Sequence, residues 1–379
     1  MNFKQFLILF LMAVVPFLAY LIRPSMAGAD GYYFGNYACG LTKDIETDAL
    51  AKVFFSILPC NEIIWKGILF AIFFACLMIL VATSELFNQK NGWLAGYFFF
   101  LQTQWIHPFM ELENDVLAFP FLFISVFFFC KGIVSKNQAW KLLALAPVII
   151  AAGFWKGAIF YLVAYSLTFL PALLLFLAGL TRLFNDFFGY LTPKLVSSDV
   201  LPVLGFFQNY FLLIAFILPI PELVPAMVWF TLLSILNLKL AIHAVPFLAI
   251  SLVFTWDFLA KSEKKEAQYL SKLLLIVPIL MVGIAFFGIF IQYPQNQTIE
   301  AIDYAILKAQ GSTINNDWDL GYWIQWRGGT PLYWGGEGPV KPFKGSIVLT
   351  SFGSDCNLIA QYPNTELWGK FRDLNVYQC

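Results

Sequence analysis

At 379 residues, with 60% hydrophobic and 12% charged positions, the chain departs from the soluble-globule composition, in which about a quarter of residues are charged. Its formal net charge is zero, which gives no support to a nucleic-acid partner. Two histidines in all argue against a zinc site, and no Gly-rich phosphate loop is present.

Runs of 18 or more nearly uncharged residues recur along the chain, the pattern of an all-α polytopic membrane protein. The first covers 3–22, with Lys4 near its start. "SMAGAD" after it offers a small-residue cleavage site, but an apolar run of this length exceeds the core of a signal peptide, so a retained helix is expected. A polar loop at 24–62 precedes spans at about 63–86, 93–110, 115–133 and 139–155. The run 157–183 contains Pro171 and forms either one long span or two short ones. Four more spans are expected at about 201–219, 222–238, 240–259 and 272–292. Residues 1–293 thus make a transmembrane domain, and 294–379, polar and rich in Gly and Trp, a small C-terminal α/β domain.

Lys and Arg in short connections set orientation. "CKGIVSKNQAWK" (130–141) and "AKSEKKEAQYLSK" (260–272) are the basic linkers and are expected on the cytoplasmic side. Counting 157–183 as two segments reconciles both with one orientation. About 11 segments result, within a range of 10–13, with 24–62, 182–201 and the tail outside. Cys39 and Cys60 share the first loop, and Cys356 and Cys379 share the tail. Two local pairs in polar segments suggest disulfides in an oxidising exterior, whereas Cys76 and Cys130 lie in apolar spans and read as packing.

With this orientation Asp30, Glu113, Asp115 and Asp199 all face outward, delivered by three loops. Glu111, Glu113 and Asp115 stand directly ahead of an apolar run to Cys130. Carboxylates gathered in this way repel one another unless a divalent cation lies between them, and hard oxygen ligands suit Mn²⁺ or Mg²⁺. Lys239 and His243 are four apart on one helical face, where they could hold a phosphate. Lys156, at an external span end, reads better as a snorkelling anchor. Trp318, Trp323, Trp326 and Trp334 fit either a membrane-interface belt or a surface that stacks on sugars or grips a peptide.

Five stretches, in order, resemble the catalytic subunit of oligosaccharyltransferase, of the archaeal and bacterial single-subunit type, within the glycosyltransferase C superfamily. "ADGYYF" (29–34) is similar to its first-loop metal motif, which points to Asp30. "ELENDVLAFPFLF" resembles its second acidic motif, with Glu113 and Asp115 in the acid positions. "VSSDVLP" resembles the external loop whose last acid completes the metal site, here Asp199 rather than the usual Glu. "LKLAIHAVP" is similar to the span whose leading Arg contacts the donor pyrophosphate, with Lys239 in its place. "DWDLGYWI" resembles the Trp-Trp-Asp-Tyr-Gly signature that reads the sequon hydroxyl, which points to Trp318 and Asp319. Asp317 and Leu320 depart from that signature, and no second tail motif follows residue 340.

The resemblance implies an inverting, metal-dependent transfer of a glycan from a polyprenyl- or dolichyl-linked (pyro)phosphate donor to a protein or glycan acceptor. Asp30, Glu113 and Asp199 would be catalytic, Lys239 and His243 would meet the donor phosphate, and membrane lipid would surround the site. A relative that moves one sugar from a polyprenyl phosphate is the nearest alternative. A transporter or flippase would bury its charges near the midplane rather than at helix mouths, and a catalytically dead subunit would have little reason to keep the acids.

Overall fold

The structure, a computed structural model, describes residues 1–22, 30–43, 45, 47–101, 109, 112–169, 214–236, 243–291, 296–317, 320–332, 345–352, 354–367 and 370–379. The expected 182–201 loop and most of the 201–219 span lie outside these residues. The described part is mostly helical, with one small sheet in the tail. Four of its helices are long and apolar enough to cross a membrane: Phe3–Leu21, Glu62–Glu85, Asn114–Val134 and Lys265–Ile284.

Helix α1 (Phe3–Ile22) matches the first expected span and keeps Pro16 inside it. The 24–62 stretch, expected as loop, contains two short helices, α2 (Asp30–Ala38) and α3 (Ala49–Ile57). They form because each has an apolar side to bury: Phe34 of α2 stacks on the fully buried Phe55 of α3, centroids 4.5 Å apart. Helix α4 (Glu62–Glu85) starts where the Asn61 side chain accepts from the Ile63 and Ile64 amides, at 2.9 and 3.2 Å. Phenylalanine abundance becomes packing here. Phe6, Phe10 and Phe17 of α1 meet Phe70, Phe73 and Phe74 of α4 in edge-to-face and tilted pairs, which requires the two helices to run antiparallel.

The 93–110 run is not one helix. Helix α5 (Leu94–Phe99) ends in a turn at Phe100 and Leu101. It lies so close to α4 that a Cβ on Gly96 would come within 2.7 Å of Val81 Cγ2. Helix α6 (Asn114–Val134) agrees with the expected 115–133 span. The 139–155 run divides at Ala144 into α7 (Gln138–Leu143) and α8 (Leu145–Phe154), because Pro147 has no N–H to give the Leu143 carbonyl. Beyond the short turn Lys156–Ala158 come α9 (Ile159–Phe169), α10 (Val224–Leu236), α11 (Val245–Lys261) and α12 (Lys265–Ile291).

Side-chain contacts sort the helix ends into two groups. At one end the amino terminus of Met1 pairs with Glu85 at 2.8 Å, and Asn91 donates to Asp257, which also binds Lys261. A pocket lined by Phe87, Val134, Glu222 and Phe254 ties the close of α6, and with it the 131–141 lysines, to this same end. At the other end lie the starts of α2, α4 and α6, the turn at Lys156, and the tail. The basic linkers and the α6 acids Glu113 and Asp115 therefore occupy opposite ends of the helical region.

In the tail, α13 (Asn296–Ala309) buries Ala301, Ile302 and Ala305 against a five-stranded sheet and stops at Gln310 and Gly311, with φ of 50° and 86°. The strands are β1 (Thr313–Asn316), β2 (Thr330–Pro331), β3 (Ile347–Thr350), β4 (Asn357–Leu367) and β5 (Lys370–Gln378), in the order β2-β1-β3-β5-β4. β1 is parallel to both neighbours, and β5 is antiparallel to β3 and β4. Helix α14 (Gly321–Trp326) follows β1.

Both suspected disulfides are present, Cys39–Cys60 and Cys356–Cys379. The first joins the end of α2 to the start of α4 across 21 residues, a closure that stabilises by about 3 kcal/mol. The double variant Cys39→Ser/Cys60→Ser is expected to fold yet unfold several degrees lower at a fixed scan rate in detergent. An unchanged unfolding temperature would show that this bridge does not hold the first loop.

Candidate functional site

The acid-bearing end is assembled from four segments. Asp30 is the first residue of α2; its carboxylate lies outside what the structure describes. Glu113 is the N-cap of α6, in extended conformation and without a side-chain capping bond, and Asp115 sits in the first turn with Oδ1 accepting from the Val116 amide at 2.8 Å. Both are half-buried, and the positive end of the α6 dipole favours their charge. Helix α6 runs antiparallel to α8, with Phe121 stacked on Phe154 at 5.6 Å, so Glu113 and Asp115 share an end with Lys156. Asp199, Lys239, Trp318 and Asp319 lie outside the described residues.

Lys156 is paired rather than merely snorkelling. Asp48, just before α3, accepts from the Lys156 backbone amide at 3.1 Å, and its carboxylate lies 4.0 Å from the ammonium. Asp48 is an acid that sequence reasoning passed over; its only mark was its N-cap position ahead of an apolar helix. Burial pushes its carboxyl above the ordinary value of 3.8, while the Lys156 amide and ammonium pull it partly back. The folded state thus holds this proton more tightly than the unfolded chain. Its contribution to stability is full below the ordinary value and is lost as pH rises through the folded-state value. Asp48→Asn keeps the acceptor for Lys156 and removes the titration. Its unfolding temperature relative to the natural protein is expected to climb as pH rises above the ordinary carboxyl value. A difference that does not change with pH would contradict this account.

His243 is 2% exposed. Its ring stacks on Trp155 with centroids 4.8 Å apart, Phe119 and Phe230 lie at 5.9 and 5.8 Å, and Nδ1 is 3.2 Å from the Tyr161 hydroxyl. In the structure this histidine holds together an aromatic corner beneath Lys156. Lys66 is likewise buried, one turn into α4: its ammonium donates to the Tyr20 carbonyl at 3.3 Å and sits 4.8 Å from the Tyr20 ring centroid. The Glu62–Lys66 spacing of four was its visible signal.

The tail docks on the first loop. Asn36 of α2 donates to the Tyr322 carbonyl at 3.1 Å, and Gln325 donates to Leu41 O at 2.9 Å while accepting from Thr42 at 3.2 Å. Tyr32 packs against Trp323 and Trp326 at 5.8 and 5.5 Å, and Trp326 also meets Trp65 at 5.4 Å. Trp323 and Trp326 are therefore internal packing between α14 and α2, and Trp334, like Trp318, is outside the described residues. The helix opened by Asp30 thus touches the helix that directly follows Trp318 and Asp319. No local sequence signal joins positions 286 residues apart.

Among the described residues no group of three His, Cys, Asp or Glu side chains is gathered closely enough to hold a metal ion; Asp199 and the Asp30 carboxylate are not in that set. A scan against protein-family models and a search of curated proteins found no match.

Proposed function

We propose that the chain is a membrane glycosyltransferase that moves a glycan from a polyprenyl (pyro)phosphate donor to an acceptor on the extracytoplasmic side, in the manner of an oligosaccharyltransferase. The observation that carries this reading is the α2–α14 contact, which joins the segment resembling a metal motif to the segment resembling an acceptor motif, at the end where α6 presents Glu113 and Asp115. Hard carboxylate donors fit Mn²⁺ or Mg²⁺, and Asp30, Glu113, Asp115 and Asp199 are the residues that would hold it. When bound, the ion supplies Lewis-acid stabilisation of the charge on the departing phosphate.

The chain's own groups do the rest. Lys239 meets the donor phosphate, and the aromatic corner around His243 supports the membrane-side wall. Asp30 orients the acceptor nucleophile on the face opposite the leaving group, so the anomeric centre inverts. Trp318 and Asp319 grip the acceptor. An intramembrane seat of about 11 spans keeps the lipid tail in hydrocarbon and the glycan in water. The test is incubation of purified protein with a lipid-linked glycan and an Asn-x-Thr peptide, with and without Mn²⁺. Transfer that requires the metal supports the reading, and no transfer under either condition counts against it.

One observation favours the monosaccharide-transferase alternative. Asp317, where the signature has its first Trp, is consumed by hydrogen bonds to Thr350 and Ser351, so an acceptor meets a surface that lacks that indole.

Sidedness has its own test. Gln297 is exposed on α13, whereas Thr298 of the Asn296–Gln297–Thr298 sequon is buried. Four cysteines are tied in disulfides and Cys76 and Cys130 are buried, so Gln297→Cys adds the one accessible thiol. A membrane-impermeant maleimide is expected to label it in intact cells. Labelling only after lysis would put the tail in the cytoplasm.

A further inference from the structure

We propose that the pocket at the basic end of the helices binds one phospholipid whose headgroup ends in a primary ammonium, of the phosphatidylethanolamine type; this rests on the reading of the chain as spanning a membrane. The pocket holds about 360 Å³. Phe87, Ile133, Val134, Leu218 and Phe254 make it apolar, and Glu222 is its one charged lining group. Phe87 and Phe254 meet edge to face, centroids 6.3 Å apart, and join the close of α4 to α11. Val134 and Leu218 remain exposed. An acyl chain is the covering that such a surface meets at the end of an apolar, membrane-length helix.

Glu222 is held at the mouth by its neighbours. The turn Pro221–Leu223 closes through the Leu223 amide, which donates to Ile220 O at 2.9 Å, and Leu223 is fully buried. Pro219 and Pro221 fix the backbone on either side, and Glu222 is left exposed. Two other acids at this end are taken, Glu85 by the amino terminus and Asp257 by Lys261. Among the described residues Glu222 has no ion pair. On α6, Lys131 is three residues before Val134 and shares that side of the helix. Its ammonium stands 3.7 Å from the Trp140 ring centroid, which keeps the charge at the surface. No acid occurs in the chain between Asp115 and Asp186, so the α6–α7 connection supplies no carboxylate of its own. A carboxylate and an ammonium beside one apolar opening match the two charges of a zwitterionic headgroup: Glu222 accepts from its ammonium, and Lys131 meets its phosphate. A choline headgroup has no N–H to donate, and the pairing of Phe87 with Phe254 spends a ring face that a quaternary ammonium would need.

The experiment follows phospholipid retained on the full-length protein by native mass spectrometry, after exchange into detergent that carries phosphatidylethanolamine, phosphatidylcholine or phosphatidylglycerol. The natural protein is expected to hold one phosphatidylethanolamine about tenfold more tightly than phosphatidylcholine. Glu222→Gln should bring these two within about twofold of each other, and Glu222→Asp should keep the preference. Lys131→Gln should weaken both lipids alike, since both carry the phosphate, and Val134→Trp, which fills the groove, should release both. The ratio of the two affinities is read within each variant, so partial loss of fold does not imitate the Glu222→Gln result. Equal retention of the two lipids by the natural protein, a preference that survives in Glu222→Gln, or tighter binding of phosphatidylglycerol than of phosphatidylethanolamine overturns the inference while the membrane reading stands. Release of the protein from membranes by alkaline carbonate overturns both.

Discussion

Alanine at Asp30, Glu113 or Asp199 is expected to lower glycan transfer by at least about a hundredfold, because each removes a carboxylate that holds the metal or orients the nucleophile. The substitutions should leave the protein folded. Glu113 makes no side-chain capping bond to α6, so its loss does not undo the start of that helix. Asp30 stands at the first position of a helix whose described packing runs through Tyr32, Phe34 and Asn36. Turnover with limiting Mn²⁺ is the sensitive measurement: the variants should need more metal as well as turn over more slowly. Near-normal transfer by Asp30→Ala would sink the catalytic reading. A comparable loss in Asp48→Asn, whose partner is Lys156, would move the site toward that pair.

The second large effect concerns the acceptor. A site built to hydrogen-bond a hydroxyl rejects the analogue without it by several orders of magnitude, since its own polar group is then buried unpaired. If Asp319 accepts from the acceptor Thr, replacing that Thr with Val should cut transfer by the natural protein by at least about a thousandfold. Asp319→Ala should erase most of the preference while donor binding stays as it was. Equal use of Thr and Val peptides by the natural protein would refute sequon reading. The departures at Asp317 and Leu320 sharpen this test. Asp317 is fully occupied as an anchor, and Leu320 is buried under α14, so neither is available to contact an acceptor.

Much of the helical region is legible in the chain because its causes are local. The mostly apolar runs at 3–22, at 63–86 and after Asp115 each specify a helix within one stretch, and the structure has them within a residue or two. The two cysteine pairs are readable for the same reason: each pair shares one polar segment. Where composition alone guided the reading, it smoothed over breaks. The 93–110 run is apolar enough for a span yet, among its described residues, gives a six-residue helix that ends in a turn at Phe100, and Pro147 divides the 139–155 run. The first loop was read as irregular because its helices are short, and short helices are stabilised by what they pack against rather than by propensity.

Tertiary structure alone decided the partners. Four charged or polar groups that no motif marked turn out to be fasteners: Asp48 ties the first loop to the turn after α8, Lys66 ties α4 to α1, and Asn36 and Gln325 tie the first loop to the tail. Lysine in an apolar run and aspartate in a loop have many possible fates, and the choice depends on which carbonyl or ammonium the fold brings within about 3 Å. His243 illustrates the same limit: spacing puts it on the face of Lys239, but three surrounding aromatics from α6, α10 and the α8–α9 connection bury it. The sequence by itself determined that the chain is mostly helical, with four described helices long and apolar enough to cross a membrane, because hydropathy acts along the chain. That α2 lies against α14, and that Asp317 is spent on β3, depend on contacts between residues far apart in sequence, which only the folded arrangement creates.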